Sequence, residues 1–117
     1  MISTMDDSIL QTVKPAANIE TDDDSFDTEL ITYINSTLSI LYDMGVGKVP
    51  GIIVSGESET WRDFADDPDI YPKVRDYVST KVRLAFDPPA SSFVIESLNK
   101  RISELEWRLA NAHGYNM

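Results

Sequence analysis

Phe26-Asp27-Thr28-Glu29-Leu30-Ile31-Thr32-Tyr33-Ile34-Asn35-Ser36-Thr37-Leu38-Ser39-Ile40-Leu41-Tyr42-Asp43-Met44-Gly45 is the stretch that decides the fold. Phe26, Leu30, Ile34, Leu38 and Leu41 recur at steps of four, four, four and three, the spacing that lines one face of an α-helix. Ile31, Tyr33, Ile40 and Met44 widen the apolar stripe, which predicts a helix at the centre of the core. Asp24 or Ser25 is suited to cap the free N–H groups at its start, and Asp27 and Glu29 face the positive end of the helix dipole. Gly45 stands where a left-handed residue closes a helix C-terminus.

Outward from this helix the pattern stays helical. On the N-terminal side, Ile9, Leu10 and Val13 predict a short helix from Asp6 to Lys14, stopped by Pro15. On the C-terminal side, Ile70, Val74, Tyr77, Val78, Val82, Ala85 and Phe86 mark one face of a helix over 70–86. Pro72 is tolerated in its first turn, and Asp87-Pro88-Pro89 ends it. Ser91 or Ser92 opens a last helix to about Ala112, with Ile95, Leu98, Ile102, Leu105, Leu109 and Ala112 as its apolar seam. Glu96/Lys100 and Glu104/Arg108 are i,i+4 pairs of the favourable orientation.

Between the central helix and the 70–86 helix, Gly47, Pro50, Gly51 and Gly56 surround the β-branched run Ile52-Ile53-Val54. That composition predicts a projecting loop or hairpin over 45–60, followed by a single capped turn, Thr60-Trp61-Arg62-Asp63-Phe64. Removing residues 51–57 is expected to leave the fold intact and impair assembly. The expected architecture is mainly α: one domain over 1–117, a small bundle of about four helices, with a short β-hairpin or extended loop between the second and third major helices. Residues 1–6 and 113–117 are expected to be flexible ends.

The chain has 117 residues, a formal net charge of −10, one histidine and no cysteine. Without cysteine there is no disulfide framework, thiol nucleophile or thiolate metal site. No apolar run reaches the roughly 18 residues of a bilayer span, and Met1-Ile2-Ser3-Thr4-Met5-Asp6-Asp7 lacks the basic start of a signal peptide, so a soluble, unexported protein without membrane contact is expected. The charge is unevenly distributed. Up to Asp69, fifteen acidic residues meet only Lys14, Lys48 and Arg62, a net −12; from Ile70 onward the balance is +2. Acidic and basic parts of this kind suit head-to-tail pairing between copies, and the overall sign opposes affinity for nucleic acid.

Reactive constellations are missing from the sequence. His113 lies four residues from the end, no serine sits in a Gly-x-Ser-x-Gly elbow, and Gly45-Val46-Gly47-Lys48 lacks the strand, the spaced glycine and the following Ser/Thr of a phosphate loop. Counted from Asp22, the sixth and twelfth positions of a calcium loop hold Asp27 and Tyr33 instead of Gly and Glu. No enzyme activity, cofactor or metal is expected. The large aromatics Trp61, Phe64, Phe93 and Trp107, near element ends, are candidates for core or for partner contacts.

The run Tyr77-Val78-Ser79-Thr80-Lys81-Val82-Arg83-Leu84-Ala85-Phe86-Asp87-Pro88-Pro89-Ala90-Ser91-Ser92-Phe93-Val94, with Glu104-Leu105-Glu106-Trp107-Arg108-Leu109, closely resembles the head–tail connector (adaptor) family of tailed bacteriophages. Phe26-Asp27-Thr28-Glu29-Leu30, Ile34-Asn35, Leu41 with Gly45-Val46-Gly47, and Thr60-Trp61-Arg62-Asp63-Phe64 follow the family's order, so the resemblance covers about residues 7 to 110. It implies a non-enzymatic virion subunit, made in the bacterial cytoplasm, that forms a homo-oligomeric ring, typically of twelve copies, beneath the portal protein after genome packaging. That ring extends the DNA channel, lets DNA pass without specific binding, and meets the next neck or tail component. The residues expected at such interfaces are Ile52, Ile53 and Val54 of the loop, Trp61 and Phe64, the turn residues Asp87, Pro88, Pro89 and Phe93, and Glu104, Trp107 and Arg108. A competing reading of the charge is a small acidic DNA mimic or regulatory binding protein, which would be a monomer or dimer rather than a ring.

Overall fold

The computed structural model describes residues 7–48 and 50–114, among which there are five helices and one isolated antiparallel bridge, Ser8 to Thr60. The mainly helical class is as expected. Of the flexible ends expected at 1–6 and 113–117, residues 1–6 and 115–117 lie outside the described residues, and 113–114 continue the last helix.

Helix α1 (Ile9–Ala16) starts at Ser8, whose hydroxyl accepts from Gln11 N–H at 3.2 Å. Pro15 does not stop it, as the sequence reading expected, but sits inside the last turn. Asn18 ends it instead: with φ 58° it takes the left-handed position, while Asn18 N–H bonds to Pro15 C=O and Ile19 N–H to Lys14 C=O. Asparagine tolerates that conformation better than most residues, so it serves here where glycine usually would. Helix α2 (Asp27–Asp43) ends the same way through Gly45 at φ 88°, with Gly45 N–H on Tyr42 C=O and Val46 N–H on Leu41 C=O.

The start of α2 differs from expectation. Phe26 is its N-cap, with no side-chain cap, and neither Asp24 nor Ser25 fills that role. The adjacent acidic run has other partners: Asp23 accepts from Ser25 N–H and Oγ–H, and Asp27 pairs with Lys14 at 2.9 Å. Lys14 is buried, and its ammonium also donates to Thr21 C=O at 3.3 Å. A buried ammonium is costly unless paired and hydrogen-bonded, so this contact pins the acidic 17–26 segment over the end of α1.

No hairpin forms among the described residues of the 45–60 segment; the extended-loop alternative holds. The reason is Asn35 on α2: its side-chain amide donates to Val54 C=O at 2.9 Å and accepts from Val54 N–H at 2.8 Å. One side chain thus satisfies the backbone groups that a partner strand would otherwise pair. Val54 is buried against the core beneath, so the loop lies along the subunit rather than projecting from it. Deleting 51–57 would take Val54 out of the core and leave the Asn35 amide without its partner, which goes against the expectation that the fold survives the deletion.

Helix α3 (Trp61–Phe64) has the expected reciprocal cap: Asp63 N–H on Thr60 Oγ at 3.2 Å and Thr60 N–H on Asp63 Oδ2 at 2.9 Å. Helices α4 (Tyr71–Phe86) and α5 (Ser92–Gly114) follow, α5 running two residues past the predicted end. Helix α4 is the hub: α1, α2, α3 and α5 all pack on it, and α1 also packs on α2. Leu30, Ile34 and Leu41 of α2, Val74, Tyr77, Val78 and Val82 of α4, Ile9 and Val13 of α1, and Leu109 of α5 are fully enclosed.

Candidate functional site

Three of the twelve expected interface residues are not at the surface. Val54, Trp61 and Phe64 are 1%, 1% and 2% exposed, and they belong to the subunit's own core. Trp61 donates its indole N–H to Thr12 Oγ1 at 2.8 Å, which ties α3 to α1 and fixes where the loop returns. The capped single turn is what turns both aromatics inward: residues 61 and 64 share one face of it, and that face meets α4. The remaining nine residues do not converge; they fall in three places.

The first place is a groove where the loop crosses α2. Leu38, Tyr42, Ile52, Ile53 and Phe64 give it an apolar lining, to which Asn35 and Ser39 add polar groups, and its volume is about 370 Å³. Ile53 is 76% exposed and Ile52 half-buried. Gly51 matters here because a Cβ at this position would lie 3.3 Å from the Tyr42 ring, tighter than ordinary contact. Tyr42 was not among the sequence candidates. Its signal was its place beside the helix end at Gly45, opposite the glycine-rich loop.

The second place is the turn after α4. Asp87 accepts a hydrogen bond from the Asn18 amide, joining the ends of α1 and α4. Asp87 and Pro89 are half-buried and Pro88 is exposed. A neighbouring groove of about 410 Å³ runs between the end of α1, α4 and α5, with Arg83 and Arg101 on its walls. Arg101 grips Asp76 with two nitrogens, at 3.0 Å to Oδ1 and 2.7 Å to Oδ2. That hydrogen-bonded ion pair raises the guanidinium pKa above its ordinary value and braces α5 on α4.

The third place is the outer face of α5. Its buried side is Ile102, Leu105 and Leu109, with Ile95 and Leu98 only half-buried. On the opposite side, Phe93, Lys100 and Trp107 recur at intervals of seven, with Glu96 and Glu104 between them. Phe93 is 68% and Trp107 66% exposed. Glu96 to Lys100 is 3.9 Å and Glu104 to Arg108 3.3 Å. Exposed pairs like these contribute only about 0.3–0.5 kcal/mol each, so their main effect is to keep the helix polar around two bare aromatic rings. Phe26, Ile40, Tyr42 and Val94 are also exposed apolar residues, so Phe26 and Ile40 lie outside the core that the periodicity of α2 predicts for them.

Among the described residues, no three potential metal-ligating side chains converge, and no helix is long and apolar enough to cross a membrane. The side chain of His113 lies outside the described residues. What the surface offers is contact area: an apolar groove, a braced turn and an aromatic-bearing helix face on a small helical scaffold. These are the features of a subunit built to pack against other proteins.

The phage connector protein family matches residues 9–116, nearly the whole chain, and the protein belongs to that family. It is a structural connector of bacteriophage particles. No curated protein and no solved structure matches the chain.

Proposed function

We propose that the chain is the repeating subunit of a ring that seats beneath the portal at the capsid vertex, joins head to tail and extends the DNA channel. The observation that carries this reading is the phage connector family match over residues 9–116. The surface supports it: exposed apolar residues lie in two places, Ile53 on the loop and Phe93 with Trp107 on the outer face of α5, as a subunit with more than one neighbour requires. The acidic excess of the first 69 residues suits a channel wall, because carboxylates repel phosphates and DNA slides past them without being held. The protein has no catalytic role in this reading.

The test is to mix the purified protein with its cognate portal and image the product by negative-stain electron microscopy. Closed rings stacked on the portal are expected, with the lumen lined mainly by Asp and Glu. A protein that stays monomeric or dimeric with portal present, or a lumen lined by Lys and Arg, would count against the ring or the channel wall respectively.

A further inference from the structure

The groove between the end of α1, α4 and α5 differs from the chain as a whole in the sign of its charge. Its lining holds Arg83 and Arg101 against Asp76, one positive charge in excess on a protein of net −10. Most of its polar groups are engaged. Arg101 is held by Asp76, the Thr80 hydroxyl donates to Asp76 C=O at 2.7 Å, and the Asn18 amide donates to Asp87. Arg83 is the exception. The ion pairs among the described residues are made by Lys14, Lys48, Lys100, Arg101 and Arg108, so the exposed Arg83 guanidinium has no acidic partner there. Ser79 lines the groove one turn earlier on α4, which sets its hydroxyl on the same face as Arg83. Leu98 supplies apolar surface: it belongs to the seam of α5, which is buried at Ile102, Leu105 and Leu109 but only half-buried here.

These groups select among ligands. A guanidinium presents paired N–H groups that match the two oxygens of a carboxylate or a phosphate. Nucleic acid fits poorly, because holding a backbone takes several cations along the strand, whereas this groove has one unengaged cation, with Asp76 in its lining and Asp87 bonded to Asn18 at its edge. A phosphate backbone also brings nothing apolar to Leu98. A peptide that carries Asp or Glu beside an apolar side chain answers both features. A cation in the last turn of α4 suits the helix dipole as well, but lysine would serve that purpose equally and it needs no open groove.

We propose that this groove is a docking site for an acidic and apolar segment of another protein, with Arg83 taking a carboxylate, the Ser79 hydroxyl donating to it, and the neighbouring apolar side chain resting on Leu98. The site lies within one subunit, so it can be tested whether or not rings form.

The probe is acetyl-Leu-Asp-Leu-amide, titrated into the isotope-labelled full chain and followed by amide chemical shifts. It should move the resonances of Ser79, Thr80, Arg83 and Leu98 to saturation, and should bind roughly fivefold more tightly than acetyl-Leu-Asn-Leu-amide, the upper range for an exposed ion pair. Added sodium chloride should shrink that preference. Arg83→Gln should abolish it while circular dichroism and the thermal midpoint stay as in the parent, since the side chain is exposed, and Arg83→Lys should keep part of it. Equal affinity for the two peptides, a preference that survives Arg83→Gln, or shifts that fail to saturate at these residues would overturn the site. Larger shifts of the same residues with a duplex DNA oligonucleotide would put a phosphate backbone in place of the peptide, and shifts that follow the protein's own concentration would put a second copy there; either result overturns the proposed occupant.

Discussion

Helices α4 and α5 are equally periodic in sequence, yet they end in opposite situations. In α4, Val74, Tyr77, Val78 and Val82 are fully enclosed, and every other described helix packs on it. In α5, at 23 residues the longest helix among the described residues, Ile102, Leu105 and Leu109 are the residues described as buried, and its first ten residues include none. An apolar stripe shows that a helix has a buried side; it does not show how many neighbours share that side. With four neighbours, α4 holds the subunit together. With α4 as its main neighbour, α5 leaves most of its described surface exposed.

The largest effect expected from this contrast is at the hub. Tyr77→Ala should destabilise the subunit by about 3–5 kcal/mol, the range for deleting an enclosed aromatic ring, read from urea unfolding followed by circular dichroism. A loss below about 1 kcal/mol would mean that α4 is not the hub, because surface substitutions stay near that scale. Leu109→Ala, at the one fully enclosed position of α5, should cost less, about 2–3 kcal/mol, because a helix with one main neighbour can settle into the space left behind.

A smaller effect separates packing from polarity at the same contact. The Tyr77 hydroxyl donates to Glu106 Oε2 at 2.8 Å, the polar link between the two helices beside the Asp76–Arg101 pair. Burial first, and then this hydrogen bond to a carboxylate, push the phenol well above its ordinary pKa. A raised value in the folded state means stability that is fully present below the unfolded phenol pKa of about 10 and is lost as pH rises through the folded value. Tyr77→Phe should therefore cost about 1 kcal/mol near neutral pH, and its unfolding curve should converge with that of the parent above about pH 10. Parallel curves across the alkaline range would show that the hydroxyl is not held as described.

Much of the fold was legible because its helices obey the 3.6-residue period and its caps use the expected residues, as at Thr60/Asp63 and Gly45. Misreadings arose where one side chain acts at long range. Asn35 replaces a β partner for Val54 nineteen residues away, and Asn18 rather than Pro15 ends α1, because local preference says nothing about which distant group arrives. The interface candidates divided for a related reason. Trp61 and Phe64 look like Phe93 and Trp107 in composition, and only the packing of α3 on α4 decides that the first two are core. The Tyr42 groove was the least legible, since it depends on a loop crossing a helix where Gly51 leaves room for the ring.

The smallest effect sharpens the comparison most. Trp107→Ala removes the largest side chain of α5, yet with two-thirds of it in solvent it should change subunit stability by less than about 0.5 kcal/mol. The same ring size deleted from α4 is expected to cost several times more, so the pair measures directly what enclosure adds to an aromatic residue. A thermal midpoint that falls with Trp107→Ala as it does with Tyr77→Ala would place the indole in the monomer's core and remove α5's outer face from the surfaces available to neighbours. An unchanged midpoint combined with lost assembly assigns the residue to the particle rather than to the fold, since assembly is then the one property its side chain changes.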